Sequence, residues 1–110
     1  MIKRTIIDYL EDIENSIKDI ENFISGFDYK TFKKDRKTTN AVIRSIEVIG
    51  EAARKVPSEF RKKHKDIPWN QMAEMRNKMI HEYTGVDLET VWKTASSDIP
   101  NLKKKIKDLI

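Results

Sequence analysis

Apolar residues recur at steps of three or four along the first quarter of the chain, from Ile2 to Ile24, and polar residues fill the intervals. This spacing is typical of an amphipathic helix with one buried face. We therefore predict a first helix of about six turns, since a helix has about 3.6 residues per turn. Gly26 follows it as a C-cap, and Asp28 is placed to cap a short helical turn that carries aromatic residues.

A second apolar stripe runs from Ala41 to Val56. Its apolar arc is broad, so this helix is predicted to be the most buried one. Pro57 stops it and can begin another helix, which has Phe60 as its one apolar anchor. That helix is predicted to be short and exposed.

The C-terminal half predicts two further helices. The first opens at Ile67-Pro68-Trp69 and ends near Gly85; the second is capped by Asp87 and reaches Leu109. Pro100 is expected to kink or interrupt this last helix, because proline lacks the backbone N–H and its ring clashes with the preceding turn. The whole pattern predicts an all-α fold, an up-and-down four-helix bundle with an extra short helix.

Length and composition limit the domain count and the chemistry. The chain has 110 residues and 13.0 kDa, and single domains most often have about 100 to 150 residues, so we predict one domain over 1–110. The absence of cysteine excludes disulfides, thiolate zinc sites and cysteine nucleophiles, and the three scattered glycines exclude a glycine-rich phosphate loop. No apolar run approaches a membrane span and the first residues lack a secretory pattern. We therefore expect a soluble cytoplasmic protein that does not bind a membrane.

Charge is distributed unevenly along the chain, although the total is only +4. Residues 1–29 carry a net charge of −4, residues 30–65 carry +8, and residues 66–110 are neutral. The middle segment could bind phosphates if its lysines and arginines converge in space. A solvated face of a charge-rich helical protein accounts for the same pattern.

The chain has two histidines as candidates for acid–base chemistry. His64 lies among lysines and an arginine, so we expect it to be a surface residue. His81 belongs to the segment Met75–Tyr83, in which basic, amide, imidazole and phenol groups fall close together on an otherwise apolar helix. This segment is the strongest candidate for a functional site.

Helical geometry determines which groups of this segment can meet. Asn77 and His81 are four residues apart and share a face, whereas Arg76 and His81 are separated by about 140° around the axis. For Arg76 and His81 to reach one phosphate, the helix must end near His81, or a second copy of the segment must face the first across a two-fold axis.

Transesterification of RNA suits these residue types best. A histidine with a pKa near neutral can take the 2′-hydroxyl proton or protonate the leaving oxygen, and an arginine can hold the phosphate. This chemistry needs no metal and no other cofactor, and one histidine with one acid is a poor metal site. A structural histidine near a helix end, paired with Glu82 or a backbone carbonyl, explains the spacing equally well.

The order of the motifs resembles the HepT-like branch of the HEPN superfamily, the toxins of HepT/MntA toxin–antitoxin pairs. Arg76-x4-His81-x-Tyr83 matches the R-x4-H-x-Y signature of that family. An R-x4-H pattern alone occurs often by chance, but four more blocks extend the resemblance over nearly the whole chain: Asp8-Tyr9-Leu10 with Ile13, Gly50-Glu51-Ala52-Ala53, Ile67-Pro68-Trp69 and Val91-Trp92.

The resemblance implies an all-α homodimer in which two copies of the motif line one cleft. It implies metal-independent endoribonuclease activity, with Arg76 and His81 as the catalytic pair and Asn77 orienting them or helping to bind RNA. Tyr83 corresponds to the tyrosine that a cognate minimal nucleotidyltransferase antitoxin of the MntA type modifies with AMP, which would block the phosphate site. Glu51 matches the family pattern, and it either pairs with Arg76 and supports the cleft or forms a structural ion pair.

Two other functions are compatible with the sequence. One is a noncatalytic subunit that docks on a minimal nucleotidyltransferase and helps to bind its substrate, with Arg76 contacting phosphate only. The other is a plain helical interaction module that uses its apolar stripes. Replacing His81 separates the nuclease from the noncatalytic subunit, because only the nuclease needs the imidazole.

Overall fold

A computed structural model gives the fold of residues 5–81 and 87–109, except for the side chains of residues 80 and 81. All regular structure within these residues is helical, which confirms the predicted all-α class. The helices are α1 (Ile6–Ile24), α2 (Tyr29–Phe32), α3 (Arg36–Lys55), α4 (Ser58–Lys63), α5 (Trp69–His81), α6 (Leu88–Lys93) and α7 (Ile99–Ile106). A π-helical segment (Thr94–Asp98) joins α6 to α7, and a 3₁₀ turn (Lys107–Leu109) follows α7.

Helix α1 begins at Ile6 because Thr5 caps it. The Thr5 backbone is extended (φ −98°, ψ 168°), its hydroxyl accepts a hydrogen bond from the Asp8 amide, and the Asp8 carboxylate accepts one from the Thr5 amide. The prediction that this helix starts at Ile2 is therefore wrong. At the other end the predicted C-cap is confirmed, since Gly26 has a φ of +82°, which L side chains rarely adopt.

Helix α3 is the centre of the bundle and packs against both α1 and α5. It contains eight buried residues against five in α1, in agreement with its broad apolar arc. Ile46 and Ile49 are completely enclosed. Asp28 caps α2 as predicted, and Phe32 of α2 packs at 5.1 Å against the ring of Trp92 from α6.

The connection from α3 to α5 is the short, exposed helix α4, as predicted. It follows Pro57 and contains no buried residue. Trp69, the first residue of α5, is buried, and its indole N–H donates to the carbonyl oxygen of His64 at 3.0 Å. The ring of Phe60 lies 4.4 Å from the ring of His64. His64 is therefore a half-buried residue at the surface, packed against Phe60.

The C-terminal helix is interrupted just before Pro100, as predicted. Asp87 caps α6 by accepting a hydrogen bond from the Glu89 amide at 3.0 Å. The backbone then widens into the π-helical segment, where the Ile99 amide donates to the Thr94 carbonyl, and α7 starts with Pro100 in its first turn. The missing N–H and the ring of proline thus fall at a break in the helix, where they cost least.

The core is one continuous apolar cluster with side chains from every long helix. The described residues form no helix that is both long and apolar enough to cross a lipid bilayer.

Candidate active site

Helices α3 and α5 are in backbone contact at Gly50. A Cβ added to Gly50 would overlap the Cβ of Arg76 and would lie 2.6 Å from the carbonyl oxygen of Met72. Real Cβ atoms essentially never come within 3.0 Å of a neighbouring heavy atom. Glycine at position 50 therefore lets α5 approach α3 and fixes where the Arg76 backbone lies.

The guanidinium of Arg76 reaches along α5 to Asn77. Its Nη1 donates to Oδ1 of Asn77 at 3.3 Å, and both side chains are half-buried. Asn77 shares a helix face with His81, four residues later. The contact therefore brings the arginine side chain toward the face that carries His81, although the two Cα positions are about 140° apart around the axis.

His81 is the last residue of α5, but its side chain lies outside the described residues, as do Glu82, Tyr83 and Gly85 entirely. The structure thus brings together two of the predicted site residues, Arg76 and Asn77. The roles of His81 and Tyr83 stay predictions.

Glu51 lies beside Lys55, one turn later on α3. The two charged groups are 3.6 Å apart, and 41% of the Glu51 side chain is exposed. With Tyr9 and Asp12 of α1, Glu51 lines a shallow cavity of about 210 Å³. Of the two alternatives for Glu51, the structure contains the ion pair. Among the described residues, no three His, Asp or Glu side chains form a group that could hold a metal ion.

A groove of about 600 Å³ separates α5 from the π-helical segment and α7. Glu74 and Lys78 line it from α5, and Asp98 and Lys105 line it from the opposite side. Its acidic and basic side chains balance, so the groove as a whole carries no strong potential. Asn77 of α5 does not line this groove.

A second cavity of about 530 Å³ adjoins this groove between α4 and the start of α5. Three cations line it, Arg61, Lys62 and Lys65. Sequence reasoning identified residues 30–65 as basic but could not say which charges converge. The convergence depends on the turn between α4 and α5, and the clustering of four cations within residues 61–65 was the signal of it in the sequence.

Comparison with known proteins agrees with these observations. The family described as Ribonuclease HepT-like matches residues 13–109. A Thermococcus cleftensis protein named "Probable ribonuclease HepT" is 48% identical over 108 residues, which cover 98% of this chain and 98% of the relative. A Methanocaldococcus jannaschii protein whose name marks it as a candidate RNase is 46% identical over 110 residues, covering 100% of this chain and 95% of the relative.

A third relative, from Caldanaerobacter subterraneus subsp. tengcongensis and also named as a candidate RNase, is 41% identical over 102 residues, or 93% of this chain and 91% of its own. No solved structure matches the chain significantly. The family match extends from α1 to the C-terminal 3₁₀ turn and includes Gly50, all of α5 and the motif. The chain therefore belongs to the HepT-like ribonuclease family of the HEPN superfamily.

Proposed function

We propose that the protein is a metal-independent endoribonuclease toxin that cleaves RNA by transesterification. The observation that carries the proposal is the hydrogen bond from Arg76 to Asn77, which directs the guanidinium toward the helix face of His81. The ribonuclease names of relatives that align over nearly the whole chain support RNA as the substrate.

Each motif residue has a defined step in this reaction. The neutral imidazole of His81 accepts the proton of the ribose 2′-hydroxyl as O2′ attacks the adjacent phosphorus. Arg76 binds the phosphate and neutralises the charge that develops on its oxygens. The bond from phosphorus to the 5′-oxygen breaks, an imidazolium protonates that oxygen, and the products are a 2′,3′-cyclic phosphate and a 5′-hydroxyl end.

A homodimer supplies the acid and the base together. One imidazole cannot be a neutral base and a protonated acid in the same step, whereas two copies related by a two-fold axis provide one of each. Two motifs facing each other also bring a second Arg76 to the phosphate. Light scattering is expected to report a particle near twice 13.0 kDa, and a strict monomer at micromolar concentration would contradict the shared cleft.

We assign Tyr83 as the off switch of the toxin. Tyr83 stands two residues after His81 in the sequence, at the position of the tyrosine in the R-x4-H-x-Y signature. A minimal nucleotidyltransferase of the MntA type would transfer AMP to that hydroxyl, and the added phosphate would occupy the site that Arg76 keeps for RNA. The partner is therefore both antitoxin and modifying enzyme.

Cleavage of a labelled RNA in excess EDTA tests the nuclease. Wild type should produce fragments with cyclic phosphate ends, whereas His81→Ala and Arg76→Ala should lose at least about a hundredfold in rate, the usual contribution of a general base or an oxyanion donor. His64→Ala is the matched control, since it removes the other histidine and should keep the kcat of wild type. If none of the proteins cleaves RNA but all bind a nucleotidyltransferase, the noncatalytic partner function replaces this one.

A further inference from the structure

The cavity between α4 and α5 differs in charge from the groove beside α7 and from the cavity at Glu51. Arg61, Lys62 and Lys65 line it, and no acidic side chain is found among its described lining residues. The groove between α5 and α7 has two acids and two bases, and the cavity at Glu51 has the same balance. Three positively charged side chains in one concave site attract anions.

The three cations have no acidic partner in the part of the chain that the structure describes. Ion pairs there involve other basic residues, such as Lys55 and Lys103. The Nε atom of Arg61 is buried and has no hydrogen-bond acceptor within that part. A buried donor without an acceptor is costly. The Arg61 guanidinium is therefore not already paired with an acid of the described chain.

The wall of the cavity is held in place by packing. Trp69 lines it, is only 7% exposed, and donates to the carbonyl oxygen of His64 at 3.0 Å. Phe60 packs on both rings, at 4.4 Å from His64 and 6.3 Å from Trp69. These contacts fix the turn that carries Lys65, so the site needs little ordering when it binds.

The cavity is connected to the motif along α5. Asn70 and Gln71 line both the basic cavity and the neutral groove. Asn70 and His81 are eleven residues apart, which places them on the same face of α5 and about 16 Å apart along its axis. That distance corresponds to about five nucleotides of a stacked strand at about 3.4 Å per nucleotide.

We infer that Arg61, Lys62 and Lys65 form a second phosphate-binding site, which holds the backbone of the RNA several nucleotides from the bond that is cleaved. The inference rests on the proposed ribonuclease function and adds the path of the substrate along α5. The cavity binds phosphates and not bases, so it raises affinity for RNA of any sequence.

Salt-dependent binding tests the site. The ligand is a fluorescein-labelled single-stranded RNA of about ten nucleotides, and all proteins carry His81→Ala so that the RNA stays intact. Neutralising the cavity with Arg61→Gln, Lys62→Gln and Lys65→Gln should lower the slope of log K against log salt by about two, since each phosphate contact to a single strand contributes about 0.7. A slope equal to that of the parent would overturn the proposal.

The control removes an equal charge from the same basic segment of sequence. Lys34→Gln, Arg36→Gln and Lys37→Gln change one arginine and two lysines that do not line the cavity. This variant should keep most of the slope; an equal loss in both variants would mean nonspecific attraction and would overturn the site. If the triple variant folds poorly, the double variant Lys62→Gln, Lys65→Gln keeps Arg61. Its slope should fall by about two-thirds of the amount expected for the triple variant.

Kinetics separate failure of the site from failure of the proposed function. With His81 intact, the triple variant should raise the KM for the ten-nucleotide RNA roughly tenfold at low salt and leave kcat unchanged. A dinucleotide, which is too short to reach the cavity, should be cleaved equally by both proteins. Normal cleavage with an unchanged KM would contradict only the second phosphate-binding site. No cleavage by wild type or by the triple variant would contradict the ribonuclease function itself. Loss of antitoxin binding with unchanged RNA binding would assign the cavity to the protein partner and overturn the proposal.

Discussion

Gly50 and Arg76 are in direct backbone contact, so the position of the motif arginine is set by the absence of a side chain on the facing helix. A Cβ at position 50 would overlap the Arg76 Cβ and approach the carbonyl oxygen of Met72 to 2.6 Å. These atoms belong to helix backbone and to the first side-chain carbon, which cannot rotate away. Substitution must move α5 relative to α3.

Gly50→Ala should therefore reduce both stability and cleavage. Overpacking of this kind typically costs about 1–3 kcal/mol in the free energy of unfolding, which urea denaturation can measure. RNA cleavage at a temperature where the variant is folded should fall more than the folded fraction does, because Arg76 is displaced.

Gly26→Ala is the control for this prediction. Gly26 has a φ of +82° and nothing within 4 Å of an added Cβ. Its replacement should cost about 1–2 kcal/mol through backbone strain alone. Cleavage by the folded protein should be unchanged, and equal activity losses in both glycine variants would show that the Gly50 contact has no specific effect on the site.

Asn77→Ala should reduce activity by leaving the Arg76 guanidinium without its side-chain acceptor at 3.3 Å. We expect kcat/KM to fall about tenfold, equivalent to about 1.4 kcal/mol, with little change in the free energy of unfolding. Single-turnover cleavage at saturating RNA separates binding from chemistry. Asn22→Ala, an exposed asparagine on α1, should behave as wild type, and an unchanged rate in Asn77→Ala would remove the positioning role.

Glu51 offers a choice that a double-mutant cycle can decide. If its function is the ion pair with Lys55, the coupling energy between Glu51→Gln and Lys55→Gln should be about 0.3–0.5 kcal/mol, as for other exposed pairs one helical turn apart. Cleavage by Glu51→Gln should then equal that of wild type. A strong loss of cleavage in Glu51→Gln but not in Lys55→Gln would instead assign Glu51 to the cleft with Arg76.

Asp28 gives the fold a dependence on acid. The Thr31 amide, which donates to its carboxylate at 2.8 Å, holds the pKa of Asp28 below its usual 3.8. Because the folded pKa is the lower one, the stabilisation is present above the unfolded pKa and is lost as pH falls through the folded value. Asp28→Ala should be less stable than wild type at pH 7, and the difference should shrink below pH 3.8.

Asp28→Asn is the matched comparison, since asparagine caps a helix without titrating. Its thermal unfolding should lie near that of wild type at pH 7. A difference between wild type and Asp28→Ala that stays constant from pH 7 to the acid limb would contradict the assignment.

Local chemistry made much of the fold predictable. Caps at Asp28 and Asp87, the interruption at Pro100 and the buried stripe of α3 each follow from a few neighbouring residues. The predicted start of α1 was wrong because the apolar stripe begins at Ile2, before Thr5, where a capping box starts the helix. Here the local hydrogen bonds of the cap determine where the helix begins, and the hydrophobic spacing does not.

The site was predictable only in part, because its geometry depends on tertiary contacts. The motif spacing identified Arg76 and Asn77, but the direction of the guanidinium depends on how close α3 lies at Gly50. The convergence of Arg61 and Lys65 depends on a turn held by Trp69, which acts across the α4–α5 connection. Neither relationship produces a periodic pattern in the sequence, so the sequence alone could not predict it.

Tyr83→Phe should separate cleavage from its control. The substitution keeps the aromatic ring and removes only the hydroxyl that would accept AMP. When the protein is produced together with its nucleotidyltransferase, wild type should gain the mass of AMP and lose cleavage, whereas Tyr83→Phe should stay unmodified and active. Tyr29→Phe is the control, because Tyr29 lies on α2, outside the motif. Burial, together with the charges of Glu89 and Asp87, raises the pKa of the Tyr29 hydroxyl. That variant should still be modified and silenced, and AMP found on Tyr83→Phe would place the switch on another residue.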